Sequence, residues 1–125
     1  MRNYLLLIAQ LLGWSLDALF HLVDEVRLKR YPLTGTVKEI GRSRKCDFCM
    51  AEDPKVSRKH ARLDWNGTTW EVSDLGSTNG IQVNGAKVES AQLQTGDVLT
   101  IGRTHFRFLR SETGTLDDDE EKTIL

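Results

Sequence analysis

Cysteine, proline and methionine are scarce in this chain, at two residues each in 125. Two cysteines cannot build the disulfide framework of a small exported domain, which normally carries more. Cys46 and Cys49 have the Cys-x-x-Cys spacing, yet Cys46-Asp-Phe-Cys49 reads as part of a short strand. Residues three apart on a strand point to opposite faces, so these thiols are poorly placed to pair or to share a metal. With no second cysteine pair and no histidine cluster a zinc set is incomplete, and neither metal nor cofactor is expected. Excess charge of one sign is missing too. The 17 basic residues nearly cancel the 18 acidic ones, which argues against bulk nucleic-acid binding.

Long apolar runs are also missing. The uninterrupted run Leu5 to Ala9 is far too short to cross a bilayer. Tyr4 to Val23 has the length, at 20 residues, but Gln10, Asp17 and His21 fall inside it. No signal-peptide cleavage pattern is evident. Membrane contact through residues 4–23 is therefore not the favoured reading. A partner-binding or surface-lying amphipathic segment and a simple packed helix stand beside it. The placement expected is cytoplasmic, with membrane association left open.

What is present is a run of short strands punctuated by turns, which at this length reads as one all-β sandwich. Ala61, Leu63 and Trp65 alternate with His60, Arg62 and Asp64, and Trp70 and Val72 alternate with Glu71 and Ser73. That is a two-strand hairpin with one buried face. Asn and Gly tolerate positive φ, and Asn66-Gly67 is read as its tight turn. Asn84-Gly85 marks another hairpin turn, after a short strand carrying Ile81 and Val83. Val98 to Ile101 and Thr104 to Leu109 form a further pair turning at Gly102-Arg103.

The first thirty residues fit two patterns. Tyr4, Leu5, Ile8, Leu11, Leu12, Ser15, Leu16 and Leu19 make a helical stripe. Ala18 to Val23 followed by Arg27 to Leu33 reads as two strands joined near Asp24-Glu25. The reading adopted is a short apolar helix in residues 1–15, a β-domain over residues 16–110, and a flexible acidic tail over residues 111–125.

The chemistry is concentrated in three stretches: Gly41-Arg42, Ser57-Arg58-Lys59-His60 and Gly76-Ser77-Thr78-Asn79-Gly80. They put a guanidinium, a hydroxyl and a carboxamide on three loops. Arg matches phosphate oxygens with two parallel N–H bonds, while Ser and Asn donate neutral hydrogen bonds. Gly41 lets backbones approach closely beside the clamp. Arg58 adds a backbone N–H or its charge, and Arg44, just past the clamp, is a further candidate contact. Between Arg42 and Arg62 lie seven Lys or Arg against three acids. Lys45, Lys55, Lys59 and Arg62 add potential that steers an anionic guest without having to touch it.

Nothing nearby supplies chemistry to remove or transfer a phosphate, so no enzyme is read here. Ser57-x-x-His60 has neither an orienting third group nor a nucleophile elbow. The glycine-flanked stretch 76–80 lacks the Lys and the following helix of a nucleotide loop.

The strings "IGRSRKCDF", "VSRKHARL", "WEVSDLGSTNGIQVNG" and "LQTGDVLTIGRTHFRF" together resemble a forkhead-associated (FHA) domain, over Ala18 to Leu109. The resemblance implies a β-sandwich of about ten to eleven short strands that binds phosphothreonine peptides. It implies that Arg42 is the phosphate clamp and that Thr78 sits against the phosphate or the threonine. Asn79 would bond the peptide backbone beside it. His60 becomes architectural, tying the binding loops together, and Gly80 structural. The partner implied is a phosphothreonine protein in a Ser/Thr kinase pathway, without nucleic acid. A phosphate-independent interaction domain is the alternative. Thr113, Thr115 and Thr123 lie in or beside the acidic run Asp117 to Glu121. A phosphorylated tail threonine folding back onto Arg42 and Ser57 would make the protein a switch.

Overall fold

A computed structural model describes residues 19–110. The expected helix in residues 1–15, the tail over residues 111–125 and its threonines lie outside the described residues. Among the described residues no helix is long and apolar enough to cross a membrane.

Eleven strands occur in chain order among the described residues. The first half holds β1 (Phe20–Asp24), β2 (Lys29–Pro32), β3 (Val37–Gly41), β4 (Phe48–Cys49) and β5 (Ala61–Trp65). The second half holds β6 (Trp70–Asp74), β7 (Ile81–Val83), β8 (Ala86–Val88), β9 (Ser90–Gln92), β10 (Val98–Ile101) and β11 (Thr104–Arg110). They form a six-stranded sheet, β2-β1-β11-β10-β7-β8, and a five-stranded sheet, β4-β3-β5-β6-β9. Neighbours run antiparallel except β3 and β4, which pair in parallel.

The two-residue alternation decides what lies between the sheets. On β11, Thr104, Phe106 and Phe108 are buried while His105 is exposed and Arg107 half-exposed. On β5, Ala61 and Leu63 are inside and Arg62 outside. Leu22, Ile40, Leu63, Val72, Ile81, Leu99, Ile101, Phe106 and Phe108 are fully buried. Each such burial contributes about 1.5–3 kcal/mol, and together they make the platform from which the loops project. Trp70 is buried and Trp65 half-buried, their rings 5.9 Å apart at the end of the β5–β6 pair.

Several details differ from the sequence reading. Asn66-Gly67 is not a two-residue turn, because the register pairs Trp65 with Trp70 and leaves four residues between them. Asn66 instead caps that loop, its Oδ1 accepting the Thr68 and Thr69 amides at 2.9 Å. The tight Asn-Gly turn is at Asn84 and Gly85, with φ of 52° and 84° between β7 and β8, as a type I′ hairpin requires. The strand reading of residues 46–49 is also too long. Only Phe48 and Cys49 pair with β3, and Cys46 is buried in the preceding loop. Both thiols are free. Burial, with Glu39 adding to it, pushes the Cys46 thiol up from its usual range. The junction of β1 and β2, by contrast, is where it was read, next to Asp24-Glu25: a turn over residues 25–28 brings Asp24 opposite Lys29. Asp24 Oδ1 accepts the Val26 and Arg27 amides and shapes this turn.

Candidate functional site

Three loops meet at one end of the sandwich: residues 42–47 after β3, residues 50–60 after β4 and residues 75–80 after β6. The first two are joined by backbone bonds. Arg42 N–H donates to Ser57 O at 3.0 Å and Ser43 N–H to Arg58 O at 3.1 Å. His60 N–H donates to Ile40 O at 2.9 Å. This contact demands glycine at position 41. A Cβ there would stand 2.0 Å from Arg58 O and 2.9 Å from Cys46 Sγ, closer than real Cβ contacts allow.

Arg42 is exposed, but its side chain is not loose. Its Nε donates to Val56 O at 2.8 Å. The two terminal nitrogens have no partner among the described residues, so the fork is oriented at its base and open at its tip. Ser57 is held on both sides. Its amide donates to His60 Nδ1 at 3.0 Å, and its Oγ accepts the Thr78 amide at 3.1 Å. The hydroxyl proton is left to donate elsewhere.

His60 is fully buried. Since Nδ1 accepts from Ser57, the ring proton sits on Nε2 and is donated to Gly80 O at 2.7 Å. The imidazole thus bridges the loop of Ser57 to the loop of Asn79, and it meets the backbone of Ser57 rather than its hydroxyl. That geometry is a brace and not a nucleophile–base pair.

Thr78 and Asn79 are exposed on the third loop. Asn79 Nδ2 donates to Lys55 O at 2.8 Å, which leaves its Oδ1 to accept. Gly80 has φ of 75°, and a Cβ there would meet Lys87 Cε at 2.7 Å. Arg58 and Arg44 are exposed. They line an open trough with Arg42, Ser43, Lys45 and Lys59. Arg62 lies outside it, its Nε held by both Asp64 carboxylate oxygens at 3.1 Å.

Two carboxylates that sequence reasoning missed shape these loops. Asp74 Oδ2 accepts the Gly76 and Ser77 amides at 3.1 Å. Its Oδ1 accepts the Ser77 hydroxyl, whose oxygen accepts the Gly80 amide at 2.8 Å. Asp-x-x-Ser ahead of a glycine was the local signal for this turn. Asp53 is buried. It takes the Lys55 amide at 2.9 Å and, from the β10–β11 turn, the Arg103 amide and the Thr104 hydroxyl at 2.8 Å. Burial alone would raise its pKa. The hydrogen bonds from Lys55, Thr104 and Arg103 outweigh burial and lower it below 3.8.

Chemically, the loop end can grip an anion with a fixed guanidinium, a hydroxyl and backbone groups, and can hold an extended chain through a carboxamide. Comparison with known proteins places this arrangement. Over 90 residues the chain is 38% identical to the glycogen accumulation regulator GarA of Mycolicibacterium smegmatis, covering 72% of this chain. It spans 54% of the length of GarA, and little more than half, or less, of the other curated relatives it matches. The structure of Mycobacterium tuberculosis EmbR in complex with a low-affinity phosphopeptide matches with a TM-score of 0.72 and 32% identity, over 75% of this chain and 25% of that one. A structure described under phosphothreonine-dependent FHA domain interactions matches with a TM-score of 0.69 and 34% identity, over 73% of this chain and 95% of that one. The family model of the FHA domain covers residues 38–102, the span that carries all three loops, and the chain belongs to the FHA-domain family.

Proposed function

We propose that this domain binds phosphothreonine-containing segments of partner proteins and so reads the output of Ser/Thr kinases. The observation that carries the proposal is the rigid convergence of Arg42, Ser57 and Asn79. Arg42 is anchored through Val56 O, Ser57 through His60 and Thr78, and Asn79 through Lys55 O. Each group keeps hydrogen-bonding capacity facing outward. Arg42 would clamp the phosphate, Ser57 and Arg58 would add donors, and Asn79 would hold the peptide backbone with Thr78 beside the threonine. Arg44 is a further contact.

The magnitudes fit this reading. A phosphate brings nearly two charges at neutral pH. Each charge-assisted hydrogen bond nets about 1.5–3 kcal/mol. Two or three supply roughly half of a micromolar affinity, which is about 8 kcal/mol. The EmbR match, itself holding a phosphopeptide, supports the same guest. The role is binding rather than turnover, since the one histidine at the site has both ring nitrogens engaged by backbone. The location proposed for this reader is the cytoplasm.

The test is a degenerate phosphothreonine library titrated against matched phosphoserine and unmodified libraries. The expected result is preference for phosphothreonine over both. Equal capture of the unmodified library would overturn the proposal in favour of a phosphate-independent interaction domain.

A further inference from the structure

The end of the sandwich opposite the phosphate loops carries a groove that the binding site does not use. Strand β5 leads there from Ala61, beside His60, to Trp65, about 13 Å away at the usual strand rise. Two depressions meet at this end and share Phe20 as a common wall. The first holds about 240 Å³, with Leu19, Phe20, Leu33, Trp65 and Trp70 in its lining and no charged residue. The second holds about 360 Å³ and is lined in part by Phe20, Thr69, Leu93, Phe108 and Arg110.

These walls are preformed. Leu33 N–H donates to Phe20 O, Trp65 N–H to Thr36 O and Leu93 N–H to Trp70 O, each at 2.9 Å. The rings brace one another, Phe20 against Trp65 at 5.6 Å and against Phe108 at 5.3 Å. Phe20 and Trp65 nevertheless stay half-buried, so aromatic surface faces the groove without a cover among the described residues.

The chain enters and leaves the described domain at this groove, since Leu19 lines the first depression and Arg110 the second. The residues after Arg110 do not suit it. From Ser111 to Lys122 the only large apolar residue is Leu116, and five acids follow it. The residues before Leu19 do suit it. Leu5, Ile8, Leu12 and Leu16 recur every three or four positions and run on into Leu19, while Asn3, Gln10 and Asp17 recur every seven. On a helix that spacing gives one apolar line ending at the groove wall and one polar line opposite it.

We infer that the groove is a docking surface for the chain's own N-terminal segment, residues 4–16. Leu16 stands one helical turn before Leu19 and enters the first depression, with Leu12 behind it. Ile8 and Leu5 then follow across Phe20 toward the second. A helix over residues 4–16 runs about 20 Å, enough to cross one end of the domain. Such a strap covers Phe20 and Trp65, keeps the apolar line from lipid and from other copies, and leaves the loop end open to its guest.

The test uses the full chain throughout. Amide hydrogen exchange over residues 64–70 and 91–95 is compared in the wild type, Leu12→Asp/Leu16→Asp and Asn3→Asp/Gln10→Asp. The first variant puts two charges on the apolar line, and exchange in both stretches should quicken about tenfold. The second puts them on the polar line and should change nothing. Leu12→Ala/Leu16→Ala is measured beside them and should give a smaller change in the same stretches, with β11 still protected, so that global unfolding of the aspartate variant does not decide the matter. Light scattering and flotation with vesicles of phosphatidylcholine and phosphatidylglycerol complete the set. The wild type is expected to be a monomer that stays off the vesicles. Unchanged exchange in both apolar-line variants overturns the inference. So does a wild-type dimer, or vesicle binding, that the aspartate variant abolishes, since the segment then serves a second copy or a bilayer.

Discussion

His60 and Gly80, twenty residues apart in the chain, are held together by a 2.7 Å bond from the imidazole Nε2 to the glycine carbonyl. The other ring nitrogen accepts the Ser57 amide, so one buried side chain sets the distance between two loops. A phenylalanine at position 60 fills the space but satisfies neither backbone group. His60→Phe is expected to cost about 2–4 kcal/mol of stability and to weaken phosphopeptide binding as well. Urea unfolding and peptide titration of the same preparation check both. Unchanged affinity in a destabilised but folded variant would show that the bridge supports the fold alone.

Arg42→Ala should behave in the opposite way. It removes an exposed side chain whose one internal bond, to Val56 O, contributes about 1 kcal/mol. The fold should survive with a similar urea midpoint. Binding of a phosphothreonine peptide should weaken by about 100-fold, the equivalent of about 3 kcal/mol. Calorimetric titration of the variant decides it, and retained affinity would remove Arg42 from the site.

Two glycine substitutions separate two kinds of constraint. At Gly41 a methyl group would meet the Arg58 carbonyl at 2.0 Å, backbone that cannot turn aside as a side chain can. Gly41→Ala is therefore expected to cost at least about 1–3 kcal/mol and to disturb the clamp. At Gly85 nothing lies within 4 Å, but φ is +84°. Gly85→Ala should cost only the conformational penalty, about 1–2 kcal/mol, with peptide affinity unaffected. Thermal melts and titrations of the pair make the comparison.

Asp53 gives the fold an acid-sensitive joint. Its carboxylate is stabilised in the folded state, so its pKa there lies below the ordinary carboxylate value of 3.8. A group depressed on folding contributes stability above its unfolded pKa, and that contribution is lost as pH falls through the folded value. Urea midpoints should therefore be flat from neutral pH to about pH 5 and fall below about pH 4. Asp53→Asn should lower stability at neutral pH by about 1–3 kcal/mol, because an amide nitrogen replaces one accepting oxygen. It should also reduce the acid slope. Asp24 keeps part of that slope: burial raises its pKa, but the Arg27 and Val26 hydrogen bonds and the Arg27 charge lower it overall. An unchanged slope in Asp53→Asn would contradict the assignment.

The strands with one buried face were legible because alternation is a local property. Ala61 to Trp65, Trp70 to Val72 and Val98 to Leu109 all lie where their pattern puts them. The three loop motifs were legible through residue type and order. What escaped was set by register or by distance. Asn66-Gly67 and Asn84-Gly85 are the same dipeptide, and only the Trp65–Trp70 pairing makes the first a four-residue loop. Asp53 meets Thr104 across 51 residues, with no neighbouring residue to announce the contact. Arg62 is engaged by Asp64, which strand parity puts on the same face of β5 two residues on, a relation that a count of basic residues ignores.

The bonds that hold the loop end in shape join Ser57 to Thr78, His60 to Gly80, Lys55 to Asn79 and Asp53 to Thr104. Each spans twenty residues or more, and the last ties the loop after β4 to the start of β11 in the other sheet. No contiguous fragment cut between Asp53 and Thr104 retains all four. The loop end is thus a property of the whole two-sheet sandwich, and a chain cut short within that span is expected to lose its grip on a guest.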